Sequence, residues 1–208
     1  MPDVIAAVGT RFVERGQPAL ARELRKRAVT HGPTAEAYYQ LAMVNVALDK
    51  PVVAREALRR AVEMDAGHLQ AALRLGRLAR QAGALVEAKS SLYRVVRLDP
   101  DSTEAMAELS ALLHREGDHR EAARLIERAL ASNKRKPSPE THVLAGEIFQ
   151  SLGDGARALD CYTSAVALGG GEHGVAYHHA AKLHLAAGGA NGLSAARDLY
   201  RGYLMARP

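Results

Sequence analysis

The feature that most constrains this chain is a 34-residue periodicity. Leu41, Leu75 and Leu109 are 34 residues apart, as are Ala54, Ala88 and Ala122, and Ala61, Val95 and Ala129. Columns that share one period of this length belong to repeat architectures built from paired helices. The stretch from Leu69 to Ser102 shows why. Leu73, Leu75, Leu78 and Ala79 fall at helical spacing, with Gly76 among them, and Gly83 ends that helix. A second apolar stripe follows at Ala88, Leu92, Val95 and Val96. Asp99-Pro100 stops it, because the residue before proline is driven out of the α region. The spacing predicts an antiparallel helix hairpin. Ala88 marks the close crossing, where a larger side chain would force the helices apart.

These residues resemble the tetratricopeptide repeat family. Its pattern is a large residue, then Leu-Gly, an aromatic, Gly, Ala, a large residue, Ala and Pro at fixed offsets. Leu75-Gly76, Gly83, Ala88, Leu92 and Pro100 match it, while Ala72, Ala79 and Val95 stand where other residues are usual. The preceding repeat carries Tyr38, Leu41, Ala42, Ala54, Leu58 and Ala61, and the following one Met106, Leu109, Gly117, Ala122, Ile126 and Ala129. Flanking repeats are marked by Phe12, Gly16, Ala21 and Ala28, by Gly146, Phe149, Gly153, Ala158, Tyr162 and Ala165, and by Tyr177, Ala181, Gly188 and Leu199. The resemblance covers nearly the whole chain as six repeats, 2–34, 35–68, 69–102, 103–136, 139–172 and 174–208, with Pro137-Ser138 inserted before the fifth. It implies an all-α fold, a right-handed superhelical solenoid of antiparallel helix pairs, as a single domain over residues 1–208.

Composition agrees with helices that approach closely. Aromatic residues make up 4 % of the chain and there is no Trp, so small residues carry the core. Cys161 is the only cysteine, which excludes an internal disulfide and a thiolate cluster and fits a reducing compartment. It falls on a predicted second helix and reads as a small packing residue. No apolar run is long enough to predict a membrane span. The start, Met1-Pro2-Asp3, lacks the basic and apolar regions of a signal peptide, so a cytoplasmic protein is expected. The excess of Arg over Lys and the abundance of Ala suggest a bacterial source.

The resemblance also implies a site. In the family the first helices of successive repeats line a concave groove that holds a partner segment. The lining positions are the second, fifth, ninth, twelfth and thirteenth of each repeat. They correspond here to Tyr39, Met43 and Val46, and to Gln70, Leu73, Arg77, Arg80 and Gln81 with Arg74 beside them. In later repeats they are Glu104, Ala107, Ala111, His114 and Arg115, then Glu140, Val143, Glu147 and Gln150, and in the first repeat Ala6, Thr10 and Val13. The expected groove is apolar, then basic, then acidic. Arg74, Arg77 and Gln81 share one helical face. Guanidinium groups suit carboxylates, so an acidic partner with an apolar anchor near Tyr39 and Met43 is expected. The alternative is a solvated face paired with local carboxylates. The Lys–Asn pair of the family's carboxylate clamp is absent, since Tyr39–Met43, Leu73–Arg77 and Ala107–Ala111 stand in those places.

Sharper chemistry is not indicated. His173, His178, His179 and His184 are spaced by five, one and five, which points the rings apart, so they read as exposed or packing histidines. The basic runs Arg22–Arg27 and Lys134–Lys136 have no stacking aromatics or nucleic-acid motif beside them. Gly169–Gly171 lacks the Lys-Ser/Thr of a phosphate loop, and no nucleophile motif is present. No catalytic, cofactor-binding or metal-ligating residue is assigned. The last predicted helix, Ser194–Ala206, carries Leu199, Tyr200, Tyr203 and Leu204 on more than one face, which makes it a candidate oligomer contact. The reading is a non-catalytic adaptor or scaffold for a protein partner. The alternative is a homo-oligomeric assembly or secretion factor working through its terminal repeats, and a nucleic-acid-associated adaptor ranks third.

Overall fold

In a computed structural model of the chain, residues 11–12, 15–132, 136–169 and 174–206 are described. Ala6, Thr10, Val13, Lys134, Arg135, Gly170, Gly171 and His173, singled out above, lie outside them. The chain divides into two compact halves, Met1–Pro100 and Asp101–Pro208. The N-terminal half holds α1 (Pro18–His31), α2 (Ala35–Ala47), α3 (Pro51–Met64), α4 (Leu69–Gln81) and α5 (Leu85–Leu98). The C-terminal half holds α6 (Thr103–Arg115), α7 (His119–Leu130), α8 (Pro139–Ser151), α9 (Gly155–Gly169), α10 (Gly174–Ala187) and α11 (Gly189–Ala206). Among the described residues there is no strand, so the fold is all-α as expected. Hairpin partners are α2 with α3, α4 with α5, α6 with α7, α8 with α9, and α10 with α11. Within the halves successive hairpins also touch, through α3 and α4, α7 and α8, and α9 and α10, and α1 packs on α2.

Most of these starts have a local cause. The first helix of four hairpins is capped by the residue just before it, which satisfies a backbone N–H that the helix leaves unpaired. Thr34 Oγ1 accepts from the Ala37 N–H at 3.1 Å, His68 Nδ1 from Ala71 at 3.3 Å, Ser102 Oγ from Ala105 at 3.5 Å and Ser138 Oγ from Thr141 at 3.3 Å. Among second helices, α3 opens on Pro51, while Asp118 and Asp154 cap α7 and α9 at 3.2 and 3.0 Å. The turns between partners need a left-handed residue. Gly83, Gly117 and Gly153 supply it with φ of 74°, 88° and 79°, and Asp49 holds φ 52° at the same point of the α2–α3 hairpin.

The hairpins close on a small residue facing a large one, sixteen residues later in the chain. A β-carbon at Gly76 would stand 2.7 Å from Leu92 Cγ and 3.4 Å from the Ala88 carbonyl oxygen. Gly146 faces Tyr162 in the same register, and Ala42 and Leu58, and Ser110 and Ile126, are buried at the equivalent positions. Around one such pair, Ala42, Ala54, Ala57, Leu58, Ala61, Ala71 and Leu75 form a core cluster. The abundance of alanine is therefore what lets these helices pack at close range.

Candidate partner-binding face

On α2, Tyr39, Met43 and Val46 are spaced by four and three and share a face. Tyr39 and Met43 are half-buried against the core cluster, and Val46 is 41 % exposed beside them. Tyr39 is held by His68, with ring centroids 5.0 Å apart and planes tilted by 44°. His68 accepts the Ala71 N–H on Nδ1, which leaves the proton on Nε2, 3.3 Å from Glu36 Oε2. One imidazole thus caps α4, meets the tyrosine ring and ties α4 to α2.

On α4, Gln70, Arg74, Arg77 and Gln81 follow one face. Gln70, Arg74 and Gln81 are exposed, whereas Arg77 and Arg80 are half-buried and already engaged in interactions. Leu73 is 5 % exposed and stands behind this face as core. The face therefore offers Arg74 and two amides more openly than the full arginine row.

In the C-terminal half, Arg115 is exposed at the end of α6 and His114 is half-buried. His114 Nδ1 lies 3.0 Å from His119 Nδ1 at the start of α7. Burial, then the neighbouring His119, holds the His114 imidazole below its usual range, with Glu147 acting the other way. Ala107, Ala111, Val143 and Glu147 are half-buried, and Glu104, Glu140 and Gln150 are exposed. Gln150 Oε1 accepts from the Tyr162 hydroxyl at 3.1 Å.

The terminal helix α11 splits the four residues assigned to it. Leu199 and Tyr203 are half-buried, and the Tyr203 ring lies against Tyr177 at 5.6 Å and over Gly174. Tyr200 and Leu204 are exposed. Leu193 and Met205, at 63 % and 81 %, are more exposed than Tyr200 and were not singled out by sequence. The seven-residue step from Leu193 to Tyr200 was the signal that could have found the first. His178 and His179 pack as expected, against Tyr200 and Tyr162 respectively. Cys161 is buried, also as expected. In the basic run of α1, Arg22 Nε donates to Asn45 Oδ1 at 2.9 Å and Arg25 is buried. Two of its cations are therefore built into the fold.

Paired helices with a small-against-large crossing, a left-handed turn and a repeat of 34 residues define a tandem helix-hairpin protein. Sequence models of the tetratricopeptide repeat match residues 39–103 and 111–173, and a further one residues 79–140. The chain belongs to the tetratricopeptide repeat family, whose members mediate protein–protein interaction. It is 23 % identical over 168 residues to human Tetratricopeptide repeat protein 7B, covering 78 % of this chain and 20 % of that protein, so it spans about a fifth of that relative. Its structure is similar to that of pilF from Pseudomonas aeruginosa, with a TM-score of 0.78 at 19 % identity over 98 % of this chain and 89 % of that one. It is also similar to YrrB, a TPR protein described as having an unusual peptide-binding site. There the TM-score is 0.71 at 19 % identity, over 84 % of this chain and 89 % of that one.

Proposed function

We propose that this chain is a non-catalytic adaptor that holds a segment of a protein partner on the first-helix face of its repeats. The observation that carries the reading is the apolar platform of Tyr39 and Met43 with Val46 open beside it, on a helix of the same half as the exposed Arg74. An extended or helical segment with an apolar anchor and a carboxylate fits that chemistry. The apolar contact supplies affinity, and the guanidinium supplies orientation. A peptide-binding site in a protein of the same fold supports the reading. The single cysteine, buried and unpaired, supports a reducing cytoplasm. Among the described residues no helix is long and apolar enough to cross a membrane.

The test compares capture from a lysate by wild type, Val46→Glu and Arg74→Glu, each checked for unchanged helicity. Both substitutions fall on exposed side chains, so the fold is expected to survive. A protein retained by wild type and lost from both variants supports the reading. Identical capture by all three sinks it.

A second reading is favoured by α11, where Leu193, Leu204 and Met205 are exposed apolar side chains on one helix. Such a surface fits self-association, as in an assembly or secretion factor. Sedimentation over a range of concentrations tests it, with Leu204→Glu as the variant. A mass independent of concentration in both chains removes it.

A further inference from the structure

Two hollows lie side by side on second helices of the N-terminal half. One, of about 210 Å³, is lined by Ser90, Tyr93, Arg94 and Arg97 of α5. The other, of about 170 Å³, lies between α3 and α5 and shares Ser90 and Arg94 with the first. Ser90, Arg94 and Arg97 are spaced by four and three, so both guanidinium groups rise from one face of α5.

The charges around them are unequally matched. Glu87 is held by Arg59, which donates from Nε and, at 3.1 Å, from Nη2, and by Arg55 at 3.7 Å. Glu63 is held by Arg60 at 3.1 Å, and Glu56 by Arg59 at 3.0 Å. The carboxylates of α3 and α5 nearest the hollows are thus already committed. Arg94 is half-buried and Arg97 exposed, and neither side chain makes an ion pair or hydrogen bond among the described residues. Two like charges three residues apart on a helix repel each other, and partial burial raises the cost for Arg94.

A single carboxylate would neutralise one of the two. A phosphate monoester at neutral pH carries nearly two negative charges, and its oxygens match the paired N–H donors of two guanidinium forks. The Ser90 hydroxyl donates to the Glu87 carbonyl at 3.0 Å, so the arginines supply the donors. We propose that this face of α5 binds a phosphate dianion through Arg94 and Arg97. The site lies on a second helix and does not depend on the partner face of α2 and α4. Its phosphate comes either as free phosphate or on a phosphorylated side chain.

The experiment is a thermal-shift and calorimetric titration of the full chain at pH 7.5 and constant ionic strength. The probes are inorganic phosphate, O-phosphoserine and acetate, and the proteins are wild type, Arg94→Gln, Arg97→Gln and Arg201→Gln. Phosphate and phosphoserine are expected to bind wild type and Arg201→Gln alike, to weaken at least tenfold in the other two variants, and to exceed acetate. Tighter binding of phosphoserine than of phosphate identifies a phosphorylated side chain as the source, and equal binding identifies free phosphate. No preference of wild type for phosphate over acetate overturns the proposal. So does an Arg97→Gln variant that binds as wild type does. Because Arg97 is exposed, that variant remains decisive even if Arg94→Gln fails to fold.

Discussion

The ring of Tyr162 occupies the space that a β-carbon on Gly146 would need. Such a carbon would stand 2.5 Å from Cε1 and 2.7 Å from Cζ of the tyrosine. At the same register of the α4–α5 hairpin, Gly76 faces Leu92 instead. Both side chains are fully buried, but the Tyr162 ring is also tied through its hydroxyl to Gln150, whereas Leu92 has other rotamers. Gly146→Ala is therefore expected to destabilise the chain by about 1–3 kcal/mol from overpacking, after the alanine's helix preference of about 1 kcal/mol has been offset. Gly76→Ala is expected to cost less. Urea denaturation of both, and of Gly146→Ala combined with Tyr162→Leu, checks this, with the double variant regaining part of the loss.

Ser110 stands at the small position of the α6–α7 hairpin, fully buried, and its hydroxyl has no hydrogen-bond partner among the described residues. Alanine holds the equivalent place at Ala42. Removing an unsatisfied buried hydroxyl without changing the backbone is expected to stabilise the chain, by about 1 kcal/mol. Ser110→Ala measured by the same denaturation should move the midpoint upward, and a downward shift would mean that the hydroxyl has a partner after all.

The C-terminal half is expected to weaken in alkali. Burial, then Asp160, pushes the Cys161 thiol up from 9.0 to about 11, with Arg157 opposing. Burial also raises the neighbouring Tyr162 phenol, with Glu147 and Cys161 adding to it. Both groups are held neutral in the folded chain and ionise more readily once unfolded. The thiol's contribution is complete below pH 9 and is lost as pH rises from about 9 through 11, and the phenol's begins to be lost only above pH 10. Denaturation midpoints between pH 8 and 11 should fall, and Cys161→Ala should flatten the first part of the slope. At pH 8 a thiol reagent should label Cys161 only in denaturant.

His68 does the work that Thr34, Ser102 and Ser138 do at their hairpins, with an imidazole in place of a hydroxyl. His68→Ala is expected to cost about 1 kcal/mol through the lost cap, plus the packing against Tyr39. His68→Ser should restore the cap alone. If both substitutions cost the same by thermal denaturation, the cap contributes nothing and the ring contact carries the effect.

The repeat was legible because its spacing is set by covalent length. Leu41, Leu75 and Leu109 mark equivalent helices whatever surrounds them, and Pro137-Ser138 shows why the caps pass from 102 to 138. The small-against-large crossing was half legible. Ala88 marked the right turn of the helix, but the tight approach is that of Gly76 to Leu92, which only the packing angle decides. The candidate face was less legible still. Periodicity places Leu73 beside Arg74 and Arg77, and only the packed structure separates a core leucine from an exposed arginine and an engaged one. Tyr203 turned inward for a similar reason, since Gly174 leaves room for its ring. Arg94 and Arg97 gave no signal, because an unmatched charge is recognised by where neighbouring carboxylates are committed.

Asp49 has a consequence in time. Helix-hairpin arrays fold by nucleating at one repeat and propagating to the next. A left-handed conformation costs a residue with a side chain up to about 1–2 kcal/mol relative to glycine, less for Asp than for most, and the α2–α3 hairpin meets that cost when its turn closes. The α4–α5 hairpin, turning on Gly83, closes without it. Folding of the N-terminal half should therefore begin at α4–α5 and run back towards α1, and Asp49→Gly should speed refolding by removing the late barrier. A refolding rate unchanged by that substitution would mean that the turn closes after the rate-limiting step.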